Sequence, residues 1–464
     1  MRQVQIPSRY LGVNVVRLLN TLIIILITLA QAFAAPLPNA TTVIKSGFHY
    51  IPIQAPLYPT AFYANLLANG GTIPASLTFA RSSAGAYYNS SGVLMSASSG
   101  SPRWDYNPTT LAFNGLLMEP SVTNQEIYSN TPSSWMLGVG SVGTLTANAA
   151  TSPDGTTDAA SYSDGTSTAT HLLYSTATIA PYTYAFSVYA KAGTATILQM
   201  LPSSAAFGSS AYANFKLNTG TIGSSTGCTP YIQALQNGWY RCSLVQLSSG
   251  SGTNNMYITL TNNNDLLGRN PSYLGTNETL YLYGFQTEIG AGATSYIPTT
   301  SSTVTRSADT LSGTCPWYNS AQGSMVAEFA QEATVGSGST EYISAVSDSA
   351  NSNKTVIAYN PTNGVYASAV NTGSVVYNNA LIATPVFSTV YRVGLTWGTS
   401  NYASCYNGNT VNTQTSGGAP GTISIPTFYL GNNPAATNPF IGWIRKVWIW
   451  SHALPTSMLK LATK

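Results

Sequence analysis

Residues 182–194 read YTYAFSVYAKAGT, and their pattern is the clearest indication of the fold class. Phe186, Val188 and Ala190 alternate with Ser187, Tyr189 and Lys191. An alternation of period two places the two sets of side chains on opposite faces of a β-strand. The stretch therefore predicts a strand with one buried face.

The remaining sequence has the same character. Short β-branched and aromatic runs are broken by Gly, Asn, Ser and Pro, which is typical of many short strands joined by tight turns. The 464 residues are 44% hydrophobic and include 30 tyrosines, which excludes a disordered chain. After residue 35 almost no segment has helical periodicity. We predict an all-β protein of two or three domains.

The first 34 residues have the three parts of a secretory signal. Three arginines precede the apolar run LLNTLIIILITLA, and Ala32-Phe33-Ala34 provides a small-x-small cleavage site. The alternative is an uncleaved membrane anchor, although the apolar run is short for a membrane span. We therefore expect a secreted or surface-exposed protein, with membrane attachment only if the segment is retained.

Charge is unusually scarce in this chain. Asp, Glu, Lys and Arg make up 7% of the residues, against roughly 25% in an average protein. The signal-like segment carries 3 of the 17 basic residues and none of the 14 acidic ones, so the remainder has 14 of each and no net charge. Nucleic-acid binding is excluded, since it needs clustered Lys and Arg. A neutral surface rich in hydroxyls and aromatic rings suits neutral polar ligands such as sugars.

Four cysteines in an exported protein are disulfide candidates. Cys228 and Cys242 flank two predicted strands around a Gln-Asn-Gly turn, which leaves Cys315 and Cys405 for each other. The alternative is four free buried thiols, since connectivity does not follow from sequence.

Two catalytic patterns occur without their structural context. Residues 138–143, GVGSVG, match a dinucleotide fingerprint but do not open a helix, and 223–227, GSSTG, match a nucleophile elbow within a predicted loop. His49, His171 and His452 are scattered single copies, which do not suggest a triad or a zinc site. We therefore predict that the protein is not an enzyme and has no cofactor.

Paired carboxylates are the remaining route to catalysis, because glycosidases need only two acids. Asp154, Asp158 and Asp164 form the densest acidic group, but SPDGTTDAA at 152–160 has the composition of a tight turn. A structural Ca²⁺ near Asp154 and Asp158 is an alternative use of these carboxylates.

Residues 76–125 resemble the segment that precedes the sandwich domain in phage tail-fibre and head-spike proteins. A hairpin at Ala86–Met95 is its clearest local unit, and Gly85 departs from the Thr or Ser usual in that pattern. The matching positions are Phe79, Arg81, Ser82, Ser83, Tyr87, Gly92, Val93, Leu94, Pro102, Arg103, Trp104, Asp105, Gly115, Leu116, Leu117, Met118, Glu119 and Asn124.

Residues 126–300 resemble the carbohydrate-binding-module-like jelly roll of the same proteins, with YTYAFSVYAKAGT, NGWYRCSL and YLYGFQTEIGAGATSYIPTT in order. Residues 315–464 resemble a concanavalin A-like or laminin G-like sandwich that closes with FIGWIRKVWIWSHALPTSMLKLA, a strand and a short helix. The resemblance implies two tandem antiparallel β-sandwiches. We divide the chain into a signal segment 1–34, a lead-in arm 35–75, the hairpin segment 76–125, the two sandwiches, and a Ser/Thr-rich linker 301–314.

Candidate glycan contacts follow from the way that aromatic rings stack on sugar faces while amides and charged groups bond the hydroxyls. Trp239 and Tyr240 are adjacent on one strand and face opposite sides, so one is expected in the core. The candidates are Tyr189, Lys191, Trp239 and Arg241 in the first sandwich and Trp397, Tyr406 and Asn407 in the second.

The function that these features favour is host or glycan recognition by a tail-fibre or spike protein, without catalysis. The resemblance implies a homotrimer or a virion array, in which weak sites gain avidity. An exported bacterial adhesin is the alternative that the signal-like segment favours. A polysaccharide-degrading tail spike is the third.

Overall fold

Antiparallel strands make up most of the described chain. The predicted signal segment 1–34, His49 and most of the predicted lead-in arm 35–75 lie outside the described residues. The computed structural model describes residues 60–131, 134–334 and 339–464.

Seven strands precede the first sandwich: β1 (Phe62–Asn65), β2 (Thr78–Ala80), β3 (Gly85–Tyr88), β4 (Leu94–Ala97), β5 (Trp104–Tyr106), β6 (Phe113–Met118) and β7 (Val122–Asn124). A short 3-10 turn at Ala68–Gly70 separates the first two.

The first sandwich holds two six-stranded sheets, β17-β18-β13-β21-β10-β9 and β16-β15-β14-β19-β12-β8. Phe186, Val188 and Ala190 of β13 point into the core between them, as their alternation predicts. Helix α1 (Ser204–Phe207) begins after Ser203, whose side chain accepts a hydrogen bond from the Ala205 amide. The strands are β8 (Met136–Leu137), β9 (Thr144–Ala150), β10 (Ala159–Ser163), β11 (Thr168–Thr170), β12 (Leu172–Ile179), β13 (Thr183–Ala192), β14 (Ile197–Pro202), β15 (Tyr212–Lys216), β16 (Thr221–Thr226), β17 (Thr229–Ala234), β18 (Trp239–Leu247), β19 (Gly252–Leu260), β20 (Ser272–Leu274) and β21 (Thr279–Ile289).

The second sandwich packs an eight-stranded sheet, β31-β30-β29-β24-β33-β6-β5 with β1 beside β33, against the seven-stranded sheet β2-β23-β32-β25-β26-β27-β28. Helix α2 (Thr456–Ala462) follows the last strand, as the closing segment predicts. The strands of the C-terminal part are β22 (Val304–Arg306), β23 (Thr310–Thr314), β24 (Gln322–Gln331), β25 (Glu341–Ser347), β26 (Lys354–Asn360), β27 (Gly364–Asn371), β28 (Ser374–Ile382), β29 (Val390–Gly398), β30 (Asn401–Tyr406), β31 (Asn412–Gln414), β32 (Thr427–Leu430) and β33 (Gly442–Trp450). The all-β prediction is confirmed.

The first sandwich is an insertion in the second, which corrects the predicted tandem boundaries. β1 and β6 pair with the last strand β33, and β2 pairs with β23. Residues 301–314 are not a linker, because β22 pairs with β7 and β23 pairs with β2 and β32. Their Ser/Thr-rich composition suggests a solvated segment, but Arg306 and Asp309 within it are 1% exposed.

Five buried ions join the segments that flank the inserted sandwich, and Ser295 of the sandwich hydrogen-bonds to three of them. Arg81 and Asp309 lie 3.0 Å apart and Arg306 and Glu119 lie 3.1 Å apart, while Arg103 bridges Glu119 and Asp309. Burial favours a raised pKa for Glu119, but Arg306 and Arg103 outweigh it and lower the pKa to about 2. Several positions that carry the phage resemblance are therefore structural ions at this junction.

The predicted hairpin is confirmed as β3 and β4, which pair from Gly85 to Ala97. Its turn is closed by the Asn89 side chain, which accepts hydrogen bonds from the Ser91 and Val93 amides at 2.9 and 3.0 Å. Tyr88 and Leu94 of the hairpin pack with Tyr189 and Trp239. The hairpin thus covers the outer face of the first sandwich. No helix among residues 60–131, 134–334 and 339–464 is long and apolar enough to cross a membrane.

Candidate functional site

A groove of about 450 Å³ lies on the seven-stranded sheet of the second sandwich, over β25 to β28. We call it the sheet groove. Its volume is in the range of small-ligand sites, about 300–1,000 Å³. The side chains that shape it include Tyr342, Lys354, Val356, Tyr366, Ser368 and Asn378.

Two tyrosines on neighbouring strands lie on the outer face of the sheet and line this groove. Ala358 lies opposite Tyr342 on β25 and opposite Tyr366 on β27, so two rings flank a methyl group. The next residue on β26, Ile357, points into the core on the other face. Tyr342 is 4% exposed and Tyr366 is 9% exposed, so both rings are largely buried in the wall of the groove.

Polar groups with bonding capacity lie around these rings. The Lys354 ammonium donates to the Asn351 carbonyl at 3.0 Å and lies 5.4 Å from the centre of the Tyr342 ring. Within the described part of the chain, the side-chain amides of Asn363 and Asn378 form no hydrogen bond, although both line the groove. An ammonium has three donors and an amide has two donors and an acceptor, so the groove offers several bonds to a hydroxyl-rich ligand.

A second groove, of about 410 Å³, lies where the β3–β4 turn meets the first sandwich. We call it the turn groove, and define it by Val93, Pro153, Lys191, Gln236 and Trp239. Three separate turns meet there, so the hairpin has to dock for the groove to exist. It contains two of the predicted ligand-binding residues.

The four candidates in the first sandwich form two cross-strand pairs, Tyr189 with Arg241 and Lys191 with Trp239. Only Lys191 is free to reach a ligand in the turn groove. Trp239 is 2% exposed and donates from its indole nitrogen to the Thr151 carbonyl at 3.1 Å, so it forms a wall. Tyr189 and Arg241 are buried beneath the hairpin, which sequence alone does not reveal, because the covering hairpin is remote in the chain.

The three candidates in the second sandwich do not form a site. Trp397 is fully buried and donates to the Asn319 carbonyl at 2.9 Å, so its expected role in binding is corrected to a core role. Tyr406 packs at the edge of the same core. Asn407 is exposed, but its side-chain oxygen accepts from the Arg392 amide at 2.8 Å, next to the pairing of β29 with β30. The sheet groove lies on different strands.

A smaller cavity of about 70 Å³ lies at the junction of the two sandwiches, lined by Asp105, Arg241 and Glu332. Asp105 accepts from the Tyr88 amide at 2.7 Å and the Trp443 indole at 2.8 Å. Burial raises the pKa of Asp105 to about 6, and burial with neighbouring acids raises the pKa of Glu332 to about 8. The cavity has room for about two waters, at roughly 30 Å³ each. Asp105 and Glu332 lie far apart in the chain, so sequence alone does not place their carboxyl groups at one cavity.

Of the two aspartates proposed for calcium, Asp154 is engaged in hydrogen bonds, whereas a buried side-chain oxygen of Asp158 has no hydrogen-bond partner among the described residues. Asp154 accepts from the Thr156 amide at 3.0 Å and the Tyr283 hydroxyl at 2.9 Å, and Asp164 accepts from the Tyr273 hydroxyl at 3.1 Å. In the described residues, no three His, Cys, Asp or Glu side chains gather in the manner of a metal site. Calcium binding near Asp154 and Asp158 stays a prediction.

All four cysteines are free thiols, in agreement with the alternative to the predicted disulfides. Cys242 lies opposite Ile232 on the neighbouring strand. Cys228 lies before that strand and donates to the Tyr212 carbonyl at 3.3 Å. The two strands are adjacent, as predicted, but the register does not bring the sulfurs together.

The two sequence patterns that match catalytic motifs belong to ordinary strands and the segments that lead into them. Residues 138–143 lead into strand β9, and residues 223–227 overlap strand β16 instead of the predicted loop. His171 is fully buried between the Val142 and Tyr273 carbonyls, at 3.1 and 3.2 Å. It is therefore a satisfied core residue.

No protein-family model and no curated protein matches the sequence. The CBM40 domain of the Ruminococcus gnavus IT-sialidase, bound to alpha2,3-sialyllactose, shows 18% identity over 31% of this chain and 82% of its own, with a TM-score of 0.27. The heptameric SAP-like pentraxin of Limulus polyphemus shows 15% identity over 31% of this chain and 70% of its own, at 0.23. Domains LG4-5 of mouse laminin alpha1 show 12% identity over 60% of this chain and 86% of their own, at 0.22. Similarities at these TM-scores do not assign a function to this chain.

Proposed function

We propose that the chain is a non-enzymatic glycan-binding protein, exported or carried on a virion surface, which binds a saccharide in the sheet groove. One observation carries this proposal: an open groove of about 450 Å³ joins tyrosine rings to unengaged amides and an ammonium. Sugars present apolar ring faces edged with hydroxyls, and a mixed apolar and polar site of this kind complements them. The sparse charge of the whole chain is consistent with such a ligand.

The direct test is a glycan array probed with the purified full chain. We expect selective binding to a subset of saccharides. Asn378→Ala and Asn363→Ala should each weaken that binding by several fold, because each removes an amide that faces the groove. Asn412→Ala is the matched control, since Asn412 is an exposed asparagine on β31 in the other sheet. Absence of binding to every saccharide would reject the proposal.

The non-enzymatic part of the proposal rests on the size of the junction cavity. Asp105 and Glu332 line a space of about 70 Å³, which admits water but is far below ligand-site volumes of about 300 Å³. Incubation of the protein with the polysaccharides that it binds should release no new reducing ends. Release of oligosaccharides that stops in Glu332→Gln would establish hydrolysis at the junction instead.

Two origins fit a recognition protein of this kind. The phage resemblance favours a virion fibre, and the basic, apolar and small-residue pattern of residues 1–34 favours an exported adhesin. N-terminal sequencing of the protein recovered from its native source separates them, because cleavage after Ala34 requires export.

A further inference from the structure

The two grooves share an unexpected charge pattern. Lys354 lines the sheet groove and Lys191 lines the turn groove. None of the described residues that line either groove is Asp or Glu. A chain in which charged residues make up only 7% therefore places one uncompensated cation at each groove.

The acidic residue nearest in sequence to Lys354 is fully engaged elsewhere. Asp348 accepts from the Ser352 amide at 2.8 Å and hydroxyl at 3.0 Å, and from the Asn353 amide at 3.1 Å and side chain at 2.8 Å. Those hydrogen bonds close the β25–β26 turn and lower the pKa of Asp348 against the effect of burial. Its carboxylate therefore stabilises the turn and does not pair with Lys354.

The turn groove repeats this arrangement with different residues. Asp154 lies in the turn that borders it, and its carboxylate bonds to Ser152, Thr156 and Tyr283. Lys191 is again left without a carboxylate partner among the described residues. By contrast Lys216, on the same sandwich, pairs with Asp265 at 2.8 Å.

We propose that the glycan bound in the sheet groove is acidic, and that Lys354 binds its carboxylate or sulfate. This inference rests on the function proposed above and specifies its ligand. The Lys354 ammonium has one hydrogen bond to protein and two donors left, while the Tyr342 ring holds it in place. The amides of Asn363 and Asn378 then bond the hydroxyls of the same saccharide. A charge-assisted bond is about twice as strong as a neutral one, which makes the anion the principal anchor.

The test is an array of matched pairs, in which each uronic acid oligosaccharide is printed beside its carboxyl-reduced form and each sulfated one beside its desulfated form. We expect the full chain to bind the acidic member of its preferred pairs at least about tenfold more tightly. Lys354→Gln should remove this difference while leaving weaker binding to both members, and Lys354→Arg should restore most of it. The uronate and sulfate pairs separate the two kinds of anion.

Controls distinguish failure of this inference from failure of the proposed function. Lys216→Gln, which removes a lysine outside the grooves, should leave the preference unchanged. Equal binding to both members of every pair, or a preference that survives in Lys354→Gln, would overturn the inference while glycan binding stands. If Lys191→Gln abolishes the preference for the acidic member and Lys354→Gln does not, the anion binds in the turn groove. That result would also overturn the inference. No binding to any member would overturn the inference, and no binding to any saccharide of the full glycan array would reject the proposed function itself.

Discussion

Arg81 and Asp309 form a buried ion pair of 3.0 Å although 228 residues separate them in the chain. The pair closes the loop of chain that contains the whole first sandwich. Both side chains are fully buried, and Asp309 also accepts from Arg103 and from the Glu119 amide. The strands before and after the first sandwich are therefore joined by a few buried charges.

Asp309→Asn should destabilise the protein strongly, because it removes the counter-ion of the buried Arg81 and one of the two counter-ions of Arg103. Removing one partner of a buried pair costs roughly 3–5 kcal/mol. Asp265→Asn, which breaks the partly exposed pair with Lys216, should cost less than about 1 kcal/mol. Urea unfolding followed by tryptophan fluorescence measures both. Similar losses for the two variants would contradict a structural role for the junction ions.

Stability should fall as the pH rises from acidic to mildly alkaline values. The pKa of Asp105 rises from 3.8 to about 6 and that of Glu332 from 4.5 to about 8 on folding. Between the unfolded and folded pKa values the native state holds more protons, so the free energy of unfolding decreases with pH across those windows. Urea unfolding at a series of pH values up to about 8 measures this slope.

Glu332→Gln tests whether Glu332 causes the decrease in the free energy of unfolding at higher pH. The amide does not ionise, so the fall in stability between about pH 6 and 8 should largely disappear, while the fall below about pH 6 from Asp105 remains. Glu119 acts in the opposite direction, because its folded pKa of about 2 lies below its ordinary value. Its effect is confined to acidic pH, below about 4.5. An unchanged slope in the variant would show that Glu332 ionises normally.

The thiols should be slow to react in the native protein and all available after unfolding. Cys242, Cys315 and Cys405 are fully buried, and burial raises the pKa of Cys228 to about 11 and that of Cys315 to about 12. A disulfide-exchange reagent at about pH 8 meets little thiolate under those conditions. In guanidinium without reductant, four thiols per chain should titrate. A count of two or none would restore the predicted disulfides.

Trp397→Ala should lower stability without changing glycan specificity. The side chain is buried in the core of the second sandwich, and truncation of a buried tryptophan costs roughly 3–5 kcal/mol. The sheet groove is built from strands in the opposite sheet, so the order of preferred glycans on the array should be the same. A change in that order would return Trp397 to the binding site.

Local alternation predicted the strands well but not their partners. The period-two pattern places Phe186 and Val188 in the core, as observed, because face selection depends only on neighbouring residues. The burial of Arg306 depends on Glu119, far upstream in the chain. Residues 301–314 therefore look like a linker in the sequence, because nothing local indicates that Glu119 pairs with Arg306.

The candidate site was harder to predict for a related reason. Lys354, Val356 and Tyr366 are ordinary strand residues in sequence, and they form a groove only through cross-strand register. One signal was available: Val356 and Ala358 on one face of β26 alternate with Ile357 on the other, so both faces are apolar. A strand that is apolar on both faces in a two-layer sandwich points to a face that contacts something outside the core.

β1 and β6 cannot pair with β33 until the ribosome has made almost the whole chain. The ribosome makes the first of these strands near the start of the described chain and their partner near its end. At ~5–20 residues per second the early strands wait roughly tens of seconds. The inserted jelly roll pairs its strands internally and can fold meanwhile. The nascent chain thus exposes unpaired strands until translation is almost complete, which makes it a natural client for a holding chaperone.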